Sequence, residues 1–189
     1  MRYLLVLLTA LLALGCTEED PTAQRLMYPP TADTFDVVSF GVTYLFSDTL
    51  RVSARLRAGH VVEVNQAQKG RRELNTTYYL SQGVTLEFLD AYGRPHSVIT
   101  SDSARFARDE GLARLAHNVL LRNEQDEQLE TEELFWNREI DSIYTDRRVK
   151  ITTPDKVIIG REGMRSNTEF TGYSIYGIEG EMDAPDQEN

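Results

Sequence analysis

The feature that most restricts this chain is an internal repeat in which apolar and polar residues alternate. Ile99-Thr100-Ser101-Asp102-Ser103-Ala104-Arg105-Phe106 aligns, 30 residues on, with Leu129-Glu130-Thr131-Glu132-Glu133-Leu134-Phe135-Trp136. The same shift carries Ala113, Leu115, Val119 and Leu121 onto Ile143, Thr145, Val149 and Ile151, and a further step puts Tyr173 and Ile175 over Ile143 and Thr145. A unit that reads strand, turn, strand, turn has one apolar face and cannot bury it alone. Successive units must therefore stack over a shared interior. In the third layer, a shortened loop after Thr153-Pro154 accommodates Val157-Ile158-Ile159.

Alternation with period two extends beyond the repeat. Val52, Ala54 and Leu56 interleave with Ser53, Arg55 and Arg57, and Val149 and Ile151 flank Lys150. Turn signals recur at Asp90-Ala91-Tyr92-Gly93, Asp109-Glu110-Gly111, Asn123 to Glu127, Asn137-Arg138-Glu139 and Thr153-Pro154-Asp155. This is the pattern of half-buried strands in hairpins, and no segment carries a capped helical stripe. The expectation is an all-β domain of stacked antiparallel strands over residues 36–182.

The N-terminus reads differently. Arg2 supplies a positive charge, and the apolar run Tyr3 to Leu14 is too short for a bilayer core of ~30 Å. It ends in Leu12-Ala13-Leu14-Gly15-Cys16, the pattern of a lipoprotein cleavage and lipidation box. Residues 1–15 are expected to be a signal peptide, Cys16 the lipidated residue and 16–35 a tether containing Pro21, Pro29 and Pro30. Residues 183–189 read as an acidic disordered tail. Cys16 is the only cysteine, so an acylated chain uses neither a disulfide nor a thiolate nucleophile.

The net charge of −10 disfavours nucleic acid and anionic headgroups, so any grip on an anionic lipid falls mainly on its apolar part. The charge is uneven: Arg51 to Arg72 is basic and Asp109 to Glu139 acidic. Two readings stand side by side, solvated strand faces and turns, or opposed patches that steer different partners. No catalytic constellation emerges. His60, His96 and His117 are isolated and lack metal-ligand spacing. The carboxylates from Glu124 to Glu133 have no apolar pocket beside them to shift a pKa, and no glycine-rich phosphate loop is present. Neither an enzyme nor a bound cofactor or metal is expected.

On these residues the chain resembles the LptC family, the membrane-anchored periplasmic component of lipopolysaccharide export. The resemblance runs from Val42 to Met182. Its blocks are Ser101 to Phe106, Asn118-Val119-Leu120-Leu121, Leu129 to Trp136, Ile143-Tyr144-Thr145-Asp146, Val149-Lys150-Ile151 and Tyr173-Ser174-Ile175-Tyr176. It implies an open, twisted β-jellyroll with an apolar trough. It also implies a protein that accepts lipopolysaccharide from an inner-membrane ABC transporter complex at its N-terminal side. The lipid is then passed to a periplasmic LptA-like bridge protein through a C-terminal edge strand. His117 stands where the family has Gly before Asn118-Val119, which implies a wider turn, and a lipid anchor at Cys16 replaces the family's usual transmembrane helix. The alternative is a scaffolding lipoprotein that pairs strands with a partner and holds no lipid.

An acyl chain of about a dozen methylenes gains ~10 kcal/mol on leaving water for a dry trough. The residues expected to line it lie on the apolar phase of the strands: Val52, Leu56, Ala104, Phe106, Leu115, Val119, Leu134, Trp136, Val149 and Ile151. Partner pairing is expected along Gly172 to Glu181, with Tyr173, Ile175 and Ile178 on the edge. Gly163 matches a family glycine near that end and permits a close turn.

Overall fold

The computed structural model describes residues 34–48, 51–67 and 74–179. Cys16, the tether and the acidic tail lie outside them. The described part belongs to one compact unit beginning at Thr34, and every regular element in it is a strand. In chain order these are β1 (Thr34–Asp48), β2 (Arg51–Ala67), β3 (Leu74–Leu89), β4 (Pro95–Ser101), β5 (Ser103–Ala107), β6 (Leu112–Asn123) and β7 (Gln128–Asn137). Then follow β8 (Ser142–Thr145), β9 (Val149–Thr152), β10 (Val157–Gly160), β11 (Met164–Asn167), β12 (Tyr173–Ile175) and β13 (Ile178–Glu179).

All pairing is antiparallel, and the ladder is folded lengthwise into two leaves. The long strands serve both. The half of β3 from Val84 to Leu89 pairs with β4, and the half from Thr77 to Leu80 pairs with β5. Likewise β6 gives Leu112–Ala116 to β5 and Leu120–Asn123 to β4, and β7 pairs β9 through its first residues and β8 through its last. Beyond these, β10 continues from β9 and β11 from β8; β13 and β12 then close the two leaves. The unit has the jellyroll architecture that the family resemblance implies: each pass of the chain crosses a corner and lays one strand in each leaf.

Crossing the corner requires a bend, and the bends coincide. Register shifts fall between Ala58 and His60 in β2 and between Ala116 and Val119 in β6. Left-handed backbone occurs nearby at Gly41, Gln82, Gly83, His117, Asn118, Gly163 and Gly177. Instead of a wider turn, His117 and Asn118 form a left-handed pair with φ of 66° and 51°. That pair is fastened to the corner between β4 and β5. The Asp102 amide donates to the His117 carbonyl at 3.0 Å, and Asn118 Nδ2 donates to Asp102 Oδ2 at 2.7 Å.

The interior between the leaves is apolar and closed. Leu86, Ile99, Leu115, Leu121, Leu129, Leu134, Ile143, Val149 and Ile151 are fully buried there in one continuous cluster. Alternation changes phase at the corner: Ala54, Leu56 and Ala58 face inward in one leaf and Val61 in the other, with Gly59 between. A side chain at Gly59 would stand 2.6 Å from the Gln82 carbonyl oxygen.

Left-handed backbone costs a non-glycine residue about 1–2 kcal/mol. His117→Gly is therefore expected to stabilise the protein by about 1 kcal/mol, a rise of ~2–4 °C in Tm by thermal denaturation. Gly163→Ala runs the other way. With φ at 92° and the new Cβ 2.0 Å from the Thr145 carbonyl oxygen, it should cost about 3 kcal/mol or more.

Candidate functional site

The turns read from the sequence, joined by a further loop at Thr168–Gly172, form two facing rims opposite the corner. One rim carries Asp90–Arg94, Glu124–Glu127 and Thr153–Lys156; the other carries Arg108–Gly111, Arg138–Asp141 and Thr168–Gly172. Asp90 fixes its turn by accepting the amides of Tyr92 and Arg94 and the Arg94 guanidinium. These bonds hold its carboxyl below the usual range.

Between the rims runs a slot of about 920 Å³, inside the range of ~300–1,000 Å³ of ligand pockets. Its floor includes Ala54, Phe88, Leu89, His96 and Trp136, and its mouth is charged. Arg51, Arg108 and Arg138 stand among Asp90, Asp109, Glu124, Glu139, Asp141 and Glu169. A polar mouth over an apolar interior is the arrangement an amphiphile requires.

Both ends of the slot are strapped. Arg138 Nη2 donates to the Ser47 carbonyl at 3.1 Å, and the guanidinium lies 5.6 Å from the centroid of the Phe46 ring. At the other end the loop from Thr168 to Thr171 folds across. Ser97 Oγ donates to the Thr168 carbonyl and Asn123 Nδ2 to the Phe170 carbonyl at 3.0 Å. The Phe170 side chain is fully buried against Tyr173, with ring centroids 5.1 Å apart, although its φ is 55°. An aromatic residue in left-handed backbone is held there by its surroundings. Here these are the hydrogen bonds from the opposite leaf and the apolar socket.

The residues expected to line a trough occupy the packed interior. Leu56, Ala104, Phe106, Leu115, Val119, Leu134, Trp136, Val149 and Ile151 are all buried, and Val52 is half-buried. The structure brings them together on the inward faces, but only Trp136 also borders the slot. Of the expected partner residues, Tyr173 and Ile175 are half-buried against the core on β12, and Ile178 is 65% exposed on β13. Gly163 is buried at the corner against Thr145, and its carbonyl accepts the Tyr176 amide at 2.9 Å, beside β12 and β13. Sequence reasoning missed the Phe170 plug and the Arg138 strap.

It also missed a polar corner at the N-terminal end of the interior. Thr76 Oγ1 donates to Asn65 Oδ1 at 2.7 Å, and Asn65 Nδ2 donates to Glu63 Oε1 at 3.0 Å. The Tyr44 and Tyr78 rings lie 4.9 Å apart. Burial, then Tyr78 and the Glu63 charge, push the Tyr44 hydroxyl up to about 12. Burial and Glu63 raise Tyr78 too, against the opposing charge of Arg108.

Of the basic stretch, Lys69, Arg71 and Arg72 lie outside the described residues. Arg55 and Arg57 share Glu87 at 3.1 and 2.6 Å, while Arg51 remains on the slot. In the acidic stretch, Glu133 accepts from Arg114 and faces Arg147 at 3.5 Å, and Glu130 pairs Lys150 at 2.7 Å. Among the described residues no group of three His, Cys, Asp or Glu side chains converges as a metal site.

The Tyr44 shift sets an alkaline limit. The unfolded chain loses this proton near the ordinary 10.0 and the folded one near about 12, so stability falls as pH rises through that window. Thermal denaturation across it should show the loss, and Tyr44→Phe should flatten the slope.

Comparison with known proteins agrees with this architecture. The family model described as "Lipopolysaccharide-assembly, LptC-related" matches residues 3–170. The match ends at Phe170, before Tyr173 to Tyr176. No curated protein matches the chain. A match over most of the length, joined to an all-β double leaf with an apolar interior, assigns the chain to the LptC family, with a role in lipopolysaccharide transport.

Proposed function

We propose that this protein works on the periplasmic side of the inner membrane, anchored by lipid at Cys16. There it accepts lipopolysaccharide from an ABC transporter complex and passes it to an LptA-like bridge protein. The observation that carries the reading is the slot: a charged mouth set over a continuous apolar interior and bounded by rims that, among the described residues, side-chain straps join. Acyl chains entering between the leaves gain ~0.8 kcal/mol per methylene. That gain offsets the packing of leaf against leaf that opening gives up.

Both ends of the ladder support the transfer route. β1 terminates the stack on one side and β12 and β13 on the other. Their outer backbone groups have no partner among the described strands. Such edges accept a strand from a second jellyroll. On β1 the side chains of Val38, Phe40 and Leu45 are more than half exposed, which suits a strand that is covered in a complex.

A scaffolding role without lipid has one observation on its side, the close packing of the interior in this conformation. Native mass spectrometry of the full-length protein purified from membranes separates the two. Co-purified lipopolysaccharide is expected, and its consistent absence from samples that still bind the bridge protein would favour the scaffold.

Ile178 tests the C-terminal edge. The Arg161 amide donates to the Gly177 carbonyl, and Ile178 is paired with Gly160 between two such bonds, so alternation turns the Ile178 amide toward the free edge. Ile178→Pro is expected to lower bridge-protein affinity about tenfold, the loss of one to two edge hydrogen bonds, with Tm nearly unchanged. Undiminished binding would move the contact elsewhere.

A further inference from the structure

Two buried polar atoms on the slot floor have no hydrogen-bond partner: Trp136 Nε1 and His96 Nδ1. The Phe88 ring joins them, edge-on to Trp136 at 5.3 Å and stacked on His96 at 6.4 Å. Among the described side chains the only other such atom is Glu87 Oε2, and it has Arg55 Nε 3.1 Å away. The two unpaired ring nitrogens thus gather at one place.

Leaving an indole N–H unpaired out of water carries a penalty, and a phenylalanine would fill the same aromatic cluster without it. The ring is 2% exposed and sits edge-on against Phe46 at 5.1 Å as well. Its depth in the slot matters. Beneath it lie Leu115 and Leu134, both 0% exposed, and above it stand Arg138 and Glu139 at the mouth. A lipid laid chains-inward changes at this level from methylenes to the ester or amide carbonyls that join chains to head. An indole has an apolar body and one fixed donor, which suits that boundary.

We infer that Trp136 Nε1 donates a hydrogen bond to an acyl-linkage carbonyl of the bound lipid, and that His96 Nδ1 takes a second polar atom of the same linkage. The inference rests on the reading of the protein as a lipid carrier and specifies which part of the lipid is gripped. In the closed conformation the donor waits unpaired; parting of the leaves brings its partner.

Trp136 is the only tryptophan, so the full-length protein labelled with nitrogen-15 has a single indole N–H resonance. Titration with lipopolysaccharide is expected to move it downfield as the lipid binds. Dodecyl maltoside, which has a chain and no carbonyl, should not reproduce the shift. Trp136→Phe should fold and bind lipopolysaccharide about 3- to 10-fold more weakly, as one hydrogen bond is worth. The resonance experiment needs no variant, so it decides even if Trp136→Phe fails to fold. Binding with the resonance unmoved would mean that the Phe46 and Phe88 ring faces satisfy the N–H. That result, or an equal shift with the maltoside, overturns the inference and leaves the carrier reading intact. Absence of any lipopolysaccharide binding by the unaltered protein overturns both.

Discussion

Everything in this fold depends on bending each strand at the same place. A strand shared by two leaves must turn once, and its neighbours must turn beside it or the ladder breaks. The corner is therefore where unusual backbone collects: Gly41 in β1, Gln82 and Gly83 in β3, His117 and Asn118 in β6. The side chains at this line fasten rather than fill, as Asp102 does for Asn118. At the corner β2, β3, β6 and β7 run unbroken from one leaf to the other, whereas across the slot the leaves are tied by side chains, so parting them costs least on the side of the slot.

That asymmetry reconciles a packed interior with lipid transport. The apolar residues of the two leaves cover one another, which keeps an empty protein from exposing a greasy channel. What holds the open side is few in number. Arg138 reaches Ser47, and the Phe170 loop is tied to Ser97 and Asn123. These contacts join residues far apart in the chain and involve single hydrogen bonds, each of modest net worth. The polar group of Tyr44, Glu63, Asn65 and Thr76 marks where the interior ceases to be purely apolar.

Much of the architecture was legible because the repeat encodes the corner. In both Ile99 to Phe106 and Leu129 to Trp136 the inward positions jump phase, from Ile99 to Ala104 and from Leu129 to Leu134, and the jump is the bend. The turn signals at Asp90, Asp109, Asn123 and Asn137 became the rims for the same local reason: each has the residues its turn needs. Lining and packing were not separable, since a residue facing inward carries the same pattern whether it meets lipid or the opposite leaf. Phe170 was illegible because its neighbours, Asn167 to Thr171, show no alternation, and its burial is decided by Ser97 and Asn123 from another layer. Arg138 likewise meets a carbonyl 91 residues away, which no local pattern records.

The passes of the chain are nearly interchangeable, each adding one strand to either leaf and one hairpin to a rim. The length of the apolar interior is therefore set in discrete steps by how many passes the gene supplies. Duplicating a stretch such as Gln128 to Thr152 would lengthen that interior by whole rungs while preserving its cross-section. A longer or shorter domain could thus be reached by counting units, with no need to redesign the packing inside each.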